Sequence, residues 1–295
     1  MIIPPRRLIL SGGGIRVTAQ VGALKELEKR GYLRFVKEYV GVSAGAFLST
    51  MIVIGYSIQQ ITEICMGLDF SIVRSFEIEN ALDIFDTFGC DNGENLEKLL
   101  ISLFRVKGRD PDLTFGKAAQ LGLPSLKMYA TDINTSKIIE YSSIHSPDTK
   151  IIFALRASMC VPLYFQPIQD PITGHLLVDG AVLANYPIHL LNESEAEESL
   201  GILFNDINKE ITKFEGFMEF LNQIISSHNI AQNKEIFEKF KIQSIVITCG
   251  EYPSWNFEAS KEDRKLLIKI GEDSVKNFIH QKGSSYKGLR RYSVS

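Results

Sequence analysis

The sequence predicts an α/β fold with a mainly parallel central sheet. Short apolar segments alternate with longer segments of helical periodicity along the 295 residues, which is typical of successive strand–helix units. Glycine-rich turns separate a strand from a helix at residues 11–14 and again at residues 41–45. No repeat, low-complexity tract or linker interrupts this alternation, so we expect a single domain.

The first two strand–helix units are the clearest. Leu8–Leu10 is a short apolar segment that predicts a buried strand, and Ile15–Arg30 has apolar residues at helical spacing before it stops at Gly31. The apolar segment 35–40 predicts a second strand, and residues 46–53 predict a second, buried helix.

The rest of the chain continues the alternation. The predicted helices are Ser57–Met66, Asn95–Phe104, Phe115–Gln120, Thr149–Ala157, 213–239 and 261–280. The predicted strands are Leu126–Thr131, Ile138–Tyr141, Leu176–Val178, Gly201–Phe204 and Ile242–Thr248. The acidic run Glu193–Glu198 is predicted to be a solvated loop.

Composition excludes several functional classes. A net charge of −3 and a pI near 6.0 argue against a nucleic-acid-binding protein, which usually carries a basic excess. The four cysteines are far apart and form no C-x-x-C pair, so neither a zinc site nor a redox pair is indicated. Together with the lack of a signal peptide near the N-terminus, they favour an intracellular, cytoplasmic location. The uncharged segment 39–62 is interrupted by glycine, serine and glutamine, and therefore predicts a buried strand, turn and helix rather than a membrane span.

The sequence G-V-S-A-G at residues 41–45 matches the G-x-S-x-G pattern of a nucleophilic serine. The flanking segments predict a strand before it and a helix after it, which is the context that this motif requires. Gly41 and Gly45 allow a sharp turn that lifts the hydroxyl of Ser43 clear of the backbone. The turn also places Ser43 at a helix N-terminus, where free N–H groups favour developing negative charge.

A second motif, S-G-G-G-I-R at residues 11–16, lies between the first strand and the first helix. Successive glycines there can direct backbone N–H groups at a phosphate or an oxyanion. A dinucleotide-binding loop is disfavoured because Val17 occupies the position of the third glycine, and a phosphate-binding loop because no Gly-Lys-Ser/Thr follows. An oxyanion hole formed by Gly12, Gly13 and Gly14 fits a nearby serine nucleophile better.

A third motif, L-V-D-G-A at residues 177–181, places Asp179 at the end of a predicted strand. An Asp-Gly pair is often only a turn, but here it leads towards the sheet edge where a site would lie. Serine hydrolases usually use a histidine base. His189 and His228 follow Asp179 in the order that a triad would require, yet neither lies in a recognisable strand-end loop.

The three motifs, in this order and spacing, resemble those of the patatin-like phospholipase family. The family pattern is a Gly-Gly-Gly-x-Arg loop, a G-x-S-x-G elbow about thirty residues later, and a later Asp-Gly-Gly/Ala, here Asp179-Gly180-Ala181. The A-S-M-C-V-P segment at 157–162 and the N-Y-P segment at 185–187 are similar to secondary features of the family. The loop differs from the family pattern at Ser11, where Asp is common, and at Val17, where Gly is common.

The resemblance implies a three-layer α/β/α fold and a Ser–Asp dyad without histidine. By it, Ser43 is the nucleophile, Asp179 is the base, and Arg16 supports the glycine loop. It covers residues 7–205, and we expect 206–295 to supply a strand and helices that complete the same domain. It implies a lipid acyl hydrolase that needs neither metal nor cofactor. The alternatives are a non-catalytic lipid-binding or regulatory protein, and a general esterase or thioesterase.

A lipid substrate implies contact with a membrane or micelle surface. The C-terminal segment is locally basic in a slightly acidic protein, through Lys276, Lys282, Lys287, Arg290 and Arg291. Such residues attract anionic headgroups, although an ordinary solvated basic tail is an equally good explanation. We expect peripheral binding, since no segment predicts a span or a lipidation motif.

Overall fold

The computed structural model describes residues 4–67, 84–204, 217–250, 252 and 259–291. Its strands are β1 (Arg7–Leu10), β2 (Glu38–Val42), β3 (Gly89–Asp91), β4 (Ser125–Asp132), β5 (Lys137–Tyr141), β6 (Leu163–Phe165), β7 (Ile168–Gln169), β8 (Leu176–Asp179), β9 (Ser199–Phe204) and β10 (Ser244–Ile247).

The α-helices occupy most of the segments between the strands. They are α1 (Val17–Lys29), α2 (Ala44–Val53), α3 (Ile58–Gly67), α4 (Ile84–Thr87), α5 (Glu94–Val106), α6 (Phe115–Gln120), α7 (Ile151–Ser158), α8 (Ala181–Ala184), α9 (Glu193–Glu197), α10 (Phe217–Phe240) and α11 (Lys261–Arg291). Short 3₁₀ helices lie at Gly14–Arg16, Tyr32–Phe35, Pro187–Leu190 and Lys241–Gln243.

The central sheet is mixed and mainly parallel, as predicted. Strands β10, β9, β1, β2 and β4 are hydrogen-bonded in that order, and all four pairs are parallel. Strands β5 and β8 run antiparallel to β4, and β7 pairs antiparallel with β8. A separate parallel pair joins β3 to β6. The carboxyl ends of the parallel strands therefore lie at the same end of the sheet, where sites in such folds usually form.

Strand β4 is longer than β2 and carries two strands along one edge. Its first part, up to Tyr129, pairs with β2, so that Val42 lies opposite Tyr129. Its last part pairs with β8, which places Asp179 opposite Ala130. Strand β5 pairs with both parts and so occupies the other edge. Strands β2 and β8 thus approach end to end from opposite directions, and their carboxyl ends meet.

Helices cover both faces of the sheet. Side chains alternate between the two faces along each strand, so that one strand contributes to two cores. Leu8 and Leu10 belong to a core that includes residues of α1, α2, α3 and α11. Ile9, between them, belongs to a second core with Val40 and Val42, against which the C-terminal half of α10 packs. The predicted three-layer arrangement is therefore confirmed.

Helix α11 packs closely along α1, the helix that follows the glycine loop. A Cβ atom added at Gly271 would overlap the backbone oxygen of Ala19, and one added at Gly22 would overlap the backbone oxygen of Ile268. The two helix backbones can approach this closely only because both positions lack a side chain. The assignment of 206–295 to the same domain as 7–205 stays a prediction, although this contact is what such a domain needs.

Several elements of the structure differ from the sequence analysis, including the following. Residues 193–197 form a helix rather than a loop, because Asn192 and Glu195 make a reciprocal capping box. Helix α11 continues to Arg291, beyond the predicted end at 280. The last strand begins at Ser244, after a 3₁₀ turn at 241–243. The short strands β3, β6 and β7 were not predicted. The predicted start of the helix at 213 lies outside the described residues.

We expect Gly271→Ala to destabilise the protein by about 1–3 kcal/mol, because the new methyl group meets fixed backbone atoms of α1. This is opposite in sign to the gain of up to about 1 kcal/mol that alanine brings to an unobstructed helix position. Urea unfolding would measure the difference. Gly67→Ala is the matched control, since no described residue lies within 4 Å of a Cβ at that helical glycine. Equal effects of the two variants would contradict the close packing of α1 and α11.

Candidate active site

Ser43 lies in the predicted strand–turn–helix elbow. It directly follows β2 and is the N-cap residue of α2, with φ 54° and ψ −124°. This left-handed φ is unusual for a residue with a side chain and costs about 1–3 kcal/mol. The flanking glycines make the turn possible: a Cβ at Gly41 would overlap the backbone N of Ala46, and one at Gly45 would overlap the carbonyl oxygen of Leu10.

Asp179 is the hydrogen-bond partner of Ser43. The Ser43 hydroxyl donates to Asp179 Oδ2 at 2.6 Å, and the backbone N–H of Ala181 donates to Oδ1 at 2.8 Å. Burial raises the pKa of Asp179 to about 7, although both hydrogen bonds oppose the shift. No ion pair joins Asp179 to a basic side chain within the described ranges. Gly180 is required next to it, since a Cβ there would overlap the carbonyl oxygen of Tyr129.

The backbone at both residues is tied to the end of α7. The N–H of Ser43 donates to Ser158 Oγ at 3.0 Å, and the N–H of Asp179 donates to the carbonyl oxygen of Cys160 at 2.7 Å. From β4, the Thr131 hydroxyl donates to the carbonyl oxygen of Asp179 at 3.1 Å. Sequence reasoning did not assign a role to Ser158 or Thr131. Only the A-S-M-C-V-P segment pointed to the region of Ser158.

The glycine loop packs directly beside Ser43. A Cβ at Gly12 would lie 3.3 Å from the Cβ of Ser43 and 2.6 Å from Asn185 Oδ1, so only glycine leaves this space free. The N–H of Gly12 donates to the carbonyl oxygen of Asn185 at 3.2 Å, and is therefore occupied. Among the described residues, no acceptor contacts the N–H groups of Gly13 and Gly14. Gly14 has φ 54°, which turns the chain into the 3₁₀ helix that leads to α1.

Arg16 is buried behind this loop rather than exposed to the site. Its Nε lies 3.5 Å from the carbonyl oxygen of Gly13, and its guanidinium lies 4.9 Å from the centre of the Phe204 ring. The same ring packs against Gly13, where a Cβ would overlap it. Arg16 and, from β9, Phe204 thus both pack against the loop, and the bracing role of Arg16 stays a prediction.

The histidines that could have completed a triad lie elsewhere. His189 is half-buried with its Nδ1 3.1 Å from the carbonyl oxygen of Tyr186, and burial lowers its pKa. His228 lies on the exposed side of α10. His175 pairs with Asp132 at 2.8 Å at the base of a hairpin. In the described part of the chain, no histidine hydrogen-bonds to Ser43 or Asp179.

The uncharged segment 39–62 forms most of β2, then α2 and the start of α3, as expected from its sequence. Across the residues with described structure, no helix combines the length and apolar character that a bilayer span requires.

A family model and two viral relatives match this chain. A family model described as patatin-like phospholipase matches residues 8–192. Protein R571 of Acanthamoeba polyphaga mimivirus is 28% identical over 285 residues, which cover 93% of each chain. The probable lipid hydrolase 463L of Invertebrate iridescent virus 6 is 25% identical over 289 residues, which cover 98% of this chain and 92% of the relative.

A solved structure supports the fold independently. The crystal structure of VipD from Legionella pneumophila has a TM-score of 0.65 and 19% sequence identity to this chain, and the match covers 95% of this chain and 67% of VipD. At that identity the likeness concerns the fold alone. With the family model matching more than half of its residues, the chain belongs to the patatin-like phospholipase family.

Proposed function

We propose that the protein is a lipid acyl hydrolase that cleaves carboxylic ester bonds of phospholipids or related lipids through an acyl-serine intermediate. The observation that carries this proposal is the 2.6 Å hydrogen bond from the Ser43 hydroxyl to a buried carboxylate, Asp179. A nucleophile in hydrogen-bond contact with its base is the geometry that covalent catalysis requires. The name of the viral relative 463L, a probable lipid hydrolase, points in the same direction.

In the acylation step, Ser43 Oγ attacks the ester carbonyl carbon while its proton passes to Asp179 Oδ2. The carbonyl electron pair moves onto oxygen, where the N–H groups of Gly13 and Gly14 donate to the resulting oxyanion. The intermediate collapses, the bond to the leaving alcohol breaks, and the proton on Asp179 passes to that alcohol. Gly12 contributes space beside Ser43 rather than a donor, because its N–H is bound to Asn185.

In the deacylation step, a water molecule gives a proton to Asp179 and attacks the acyl-serine. The fatty acid leaves, and the proton on Asp179 returns to Ser43 Oγ. A carboxylate is ordinarily a weak base for a serine, but efficiency is greatest when the pKa of the base lies near the working pH. Burial brings the pKa of Asp179 to about 7, so the site itself supplies the basicity that a histidine provides in other serine hydrolases.

Two alternatives remain to be distinguished by experiment. A non-catalytic lipid-binding protein would not hydrolyse any lipid of a defined panel, and a general esterase or thioesterase would hydrolyse soluble esters as fast as lipids. Against the first stands the complete Ser43–Asp179 pair with a glycine loop beside it. Product analysis after incubation with defined phospholipids, lysophospholipids and neutral lipids would identify the class.

Substrate access implies peripheral contact with a lipid surface, and an intracellular, cytoplasmic location is part of the same proposal. The basic C-terminal segment is one candidate for that contact. Lys276 is already ion-paired with Asp273 at 2.8 Å, and Lys282 packs over the Phe278 ring at 5.4 Å. The side chains of Lys287, Arg290 and Arg291 lie outside the described residues.

We expect Ser43→Ala to abolish hydrolysis while the fold is retained, because alanine removes only the hydroxyl and relieves none of the packing that forms the elbow. Turnover of a lipid substrate and circular dichroism would be measured together. A fluorophosphonate probe should label the wild-type protein and not this variant. Wild-type turnover in Ser43→Ala would rule out Ser43 as the nucleophile.

We expect Asp179→Asn to reduce kcat by a factor on the order of 10³ or more, because Asp179 supplies all of the base catalysis. His189→Ala is the matched control, since that histidine bonds to the Tyr186 backbone and not to the pair. It should retain activity within a few-fold of wild type. If the histidine variant lost as much activity as Asp179→Asn, a triad would be the better model.

We expect kcat/KM for a soluble ester to fall as the pH drops below about 7. Asp179 must be ionised to accept the Ser43 proton, and its pKa is raised to about 7 by burial, so protonation removes the base over this range. Activity between pH 5 and 8.5 would be measured, with circular dichroism at each pH as the control for folding. A profile that is flat between pH 5 and 8 would show that no group with such a pKa acts as the base.

A further inference from the structure

The C-terminal end of α7 and the residues that follow it contact both members of the Ser43–Asp179 pair. Ser158 Oγ accepts the N–H of Ser43 at 3.0 Å. Two residues later, the carbonyl oxygen of Cys160 accepts the N–H of Asp179 at 2.7 Å. One turn of chain therefore holds the backbone of the nucleophile and the backbone of the base.

The two hydrogen bonds to Ser158 and Cys160 matter because β2 and β8 are not hydrogen-bonded to each other. Each pairs with β4, where Val42 lies opposite Tyr129 and Asp179 lies opposite Ala130. Ser43 also stands one residue beyond β2, at a φ of 54°, where no strand partner holds its amide. The Ser158 hydroxyl provides the missing acceptor, from a side chain that is 0% exposed.

We propose that Ser158 is a positioning residue that fixes the Ser43 elbow, and thereby the distance from Ser43 Oγ to Asp179, without touching substrate. This inference rests on the proposed function, in which that distance governs proton transfer. Without Ser158 Oγ, the Ser43 N–H would be buried and unpaired, which favours rotation of the strained elbow towards another acceptor. Even a small displacement of the nucleophile weakens transfer of its proton to the base.

A loosened elbow would also change the ionisation of Asp179. The hydrogen bond from Ser43 lowers the pKa of Asp179 against the effect of burial, so a weaker bond raises that pKa further. Of the other titratable groups behind the site, burial raises the pKa of the Cys160 thiol to about 12. It is thus neutral in the assay range. Burial lowers the pKa of the Arg156 guanidinium on α7, and the substitutions at Ser158 remove neither this group nor the Cys160 thiol.

The test compares Ser158→Ala with Ser158→Thr, which keeps the hydroxyl, and with Ser49→Ala. Ser49 is the matched control because it is equally buried and lies on α2 close to the elbow. Its hydroxyl has no hydrogen-bond partner among the residues that the structure describes. Steady-state kinetics with a soluble p-nitrophenyl ester between pH 5 and 9 would be combined with thermal unfolding of each variant.

We expect Ser158→Ala to lower kcat about tenfold to a hundredfold with KM changed less than twofold, as loss of one buried hydrogen bond implies. The acid limb of its pH–activity profile should move to higher pH. Ser158→Thr should restore at least part of kcat. Ser49→Ala should have wild-type kinetics. The proposal is overturned if Ser158→Ala has the wild-type kcat and pH profile, or if its kcat falls without a pH shift and only in proportion to the folded fraction.

The failure of this proposal can be separated from that of the proposed function. If the wild-type protein neither hydrolyses esters nor reacts with a fluorophosphonate probe, the proposed function is wrong and the positioning role falls with it. If the wild-type protein reacts and Ser158→Ala reacts at the same rate, only the positioning role is wrong.

Discussion

The site depends on the length of β4. This strand extends three residues beyond the point where β2 ends, and β8 pairs with that extension from the opposite direction. The carboxyl ends of β2 and β8 therefore meet along one edge of β4. Each end carries one catalytic candidate, Ser43 after β2 and Asp179 at the end of β8. A purely parallel sheet would place successive strand ends side by side, about one strand spacing apart. The antiparallel arrival of β8 instead brings the carboxylate to within 2.6 Å of the hydroxyl.

The arrangement stores free energy at the site. Ser43 has a strained φ, and Asp179 is a buried carboxyl group whose ionised form is destabilised by desolvation. Both are held by backbone hydrogen bonds from the surrounding elements, through Ser158, Cys160 and Thr131. In the proposed mechanism, this desolvation makes the Asp179 carboxylate a stronger base, so that it takes the role that a histidine has in other serine hydrolases.

Local motifs allowed the two glycine-containing turns of the site to be predicted from sequence. The glycines at 41 and 45 and the run at 12–14 indicate sharp turns on their own, because their requirement for space is a property of a few neighbouring residues. The contact of Ser43 with Asp179 followed from family resemblance, since no local rule brings residues so distant in sequence together. The role of Ser158 could not be predicted, because it depends on where α7 ends relative to β2. The missed helix at 193–197 was different: its capping residues, Asn192 and Glu195, were present in the sequence.

The close contact of α1 with α11 has a consequence for how the protein matures. Helix α1 begins directly after the glycine loop, and its outer face, including Ala19 and Gly22, is covered by α11. During synthesis, Ser43, Asp179 and the glycine loop all emerge from the ribosome well before Gly271 does. Until α11 docks, that face of α1 is open to water. The packing of α1, which leads on from the glycine loop, can therefore be completed only after residues 261–291 have been synthesised.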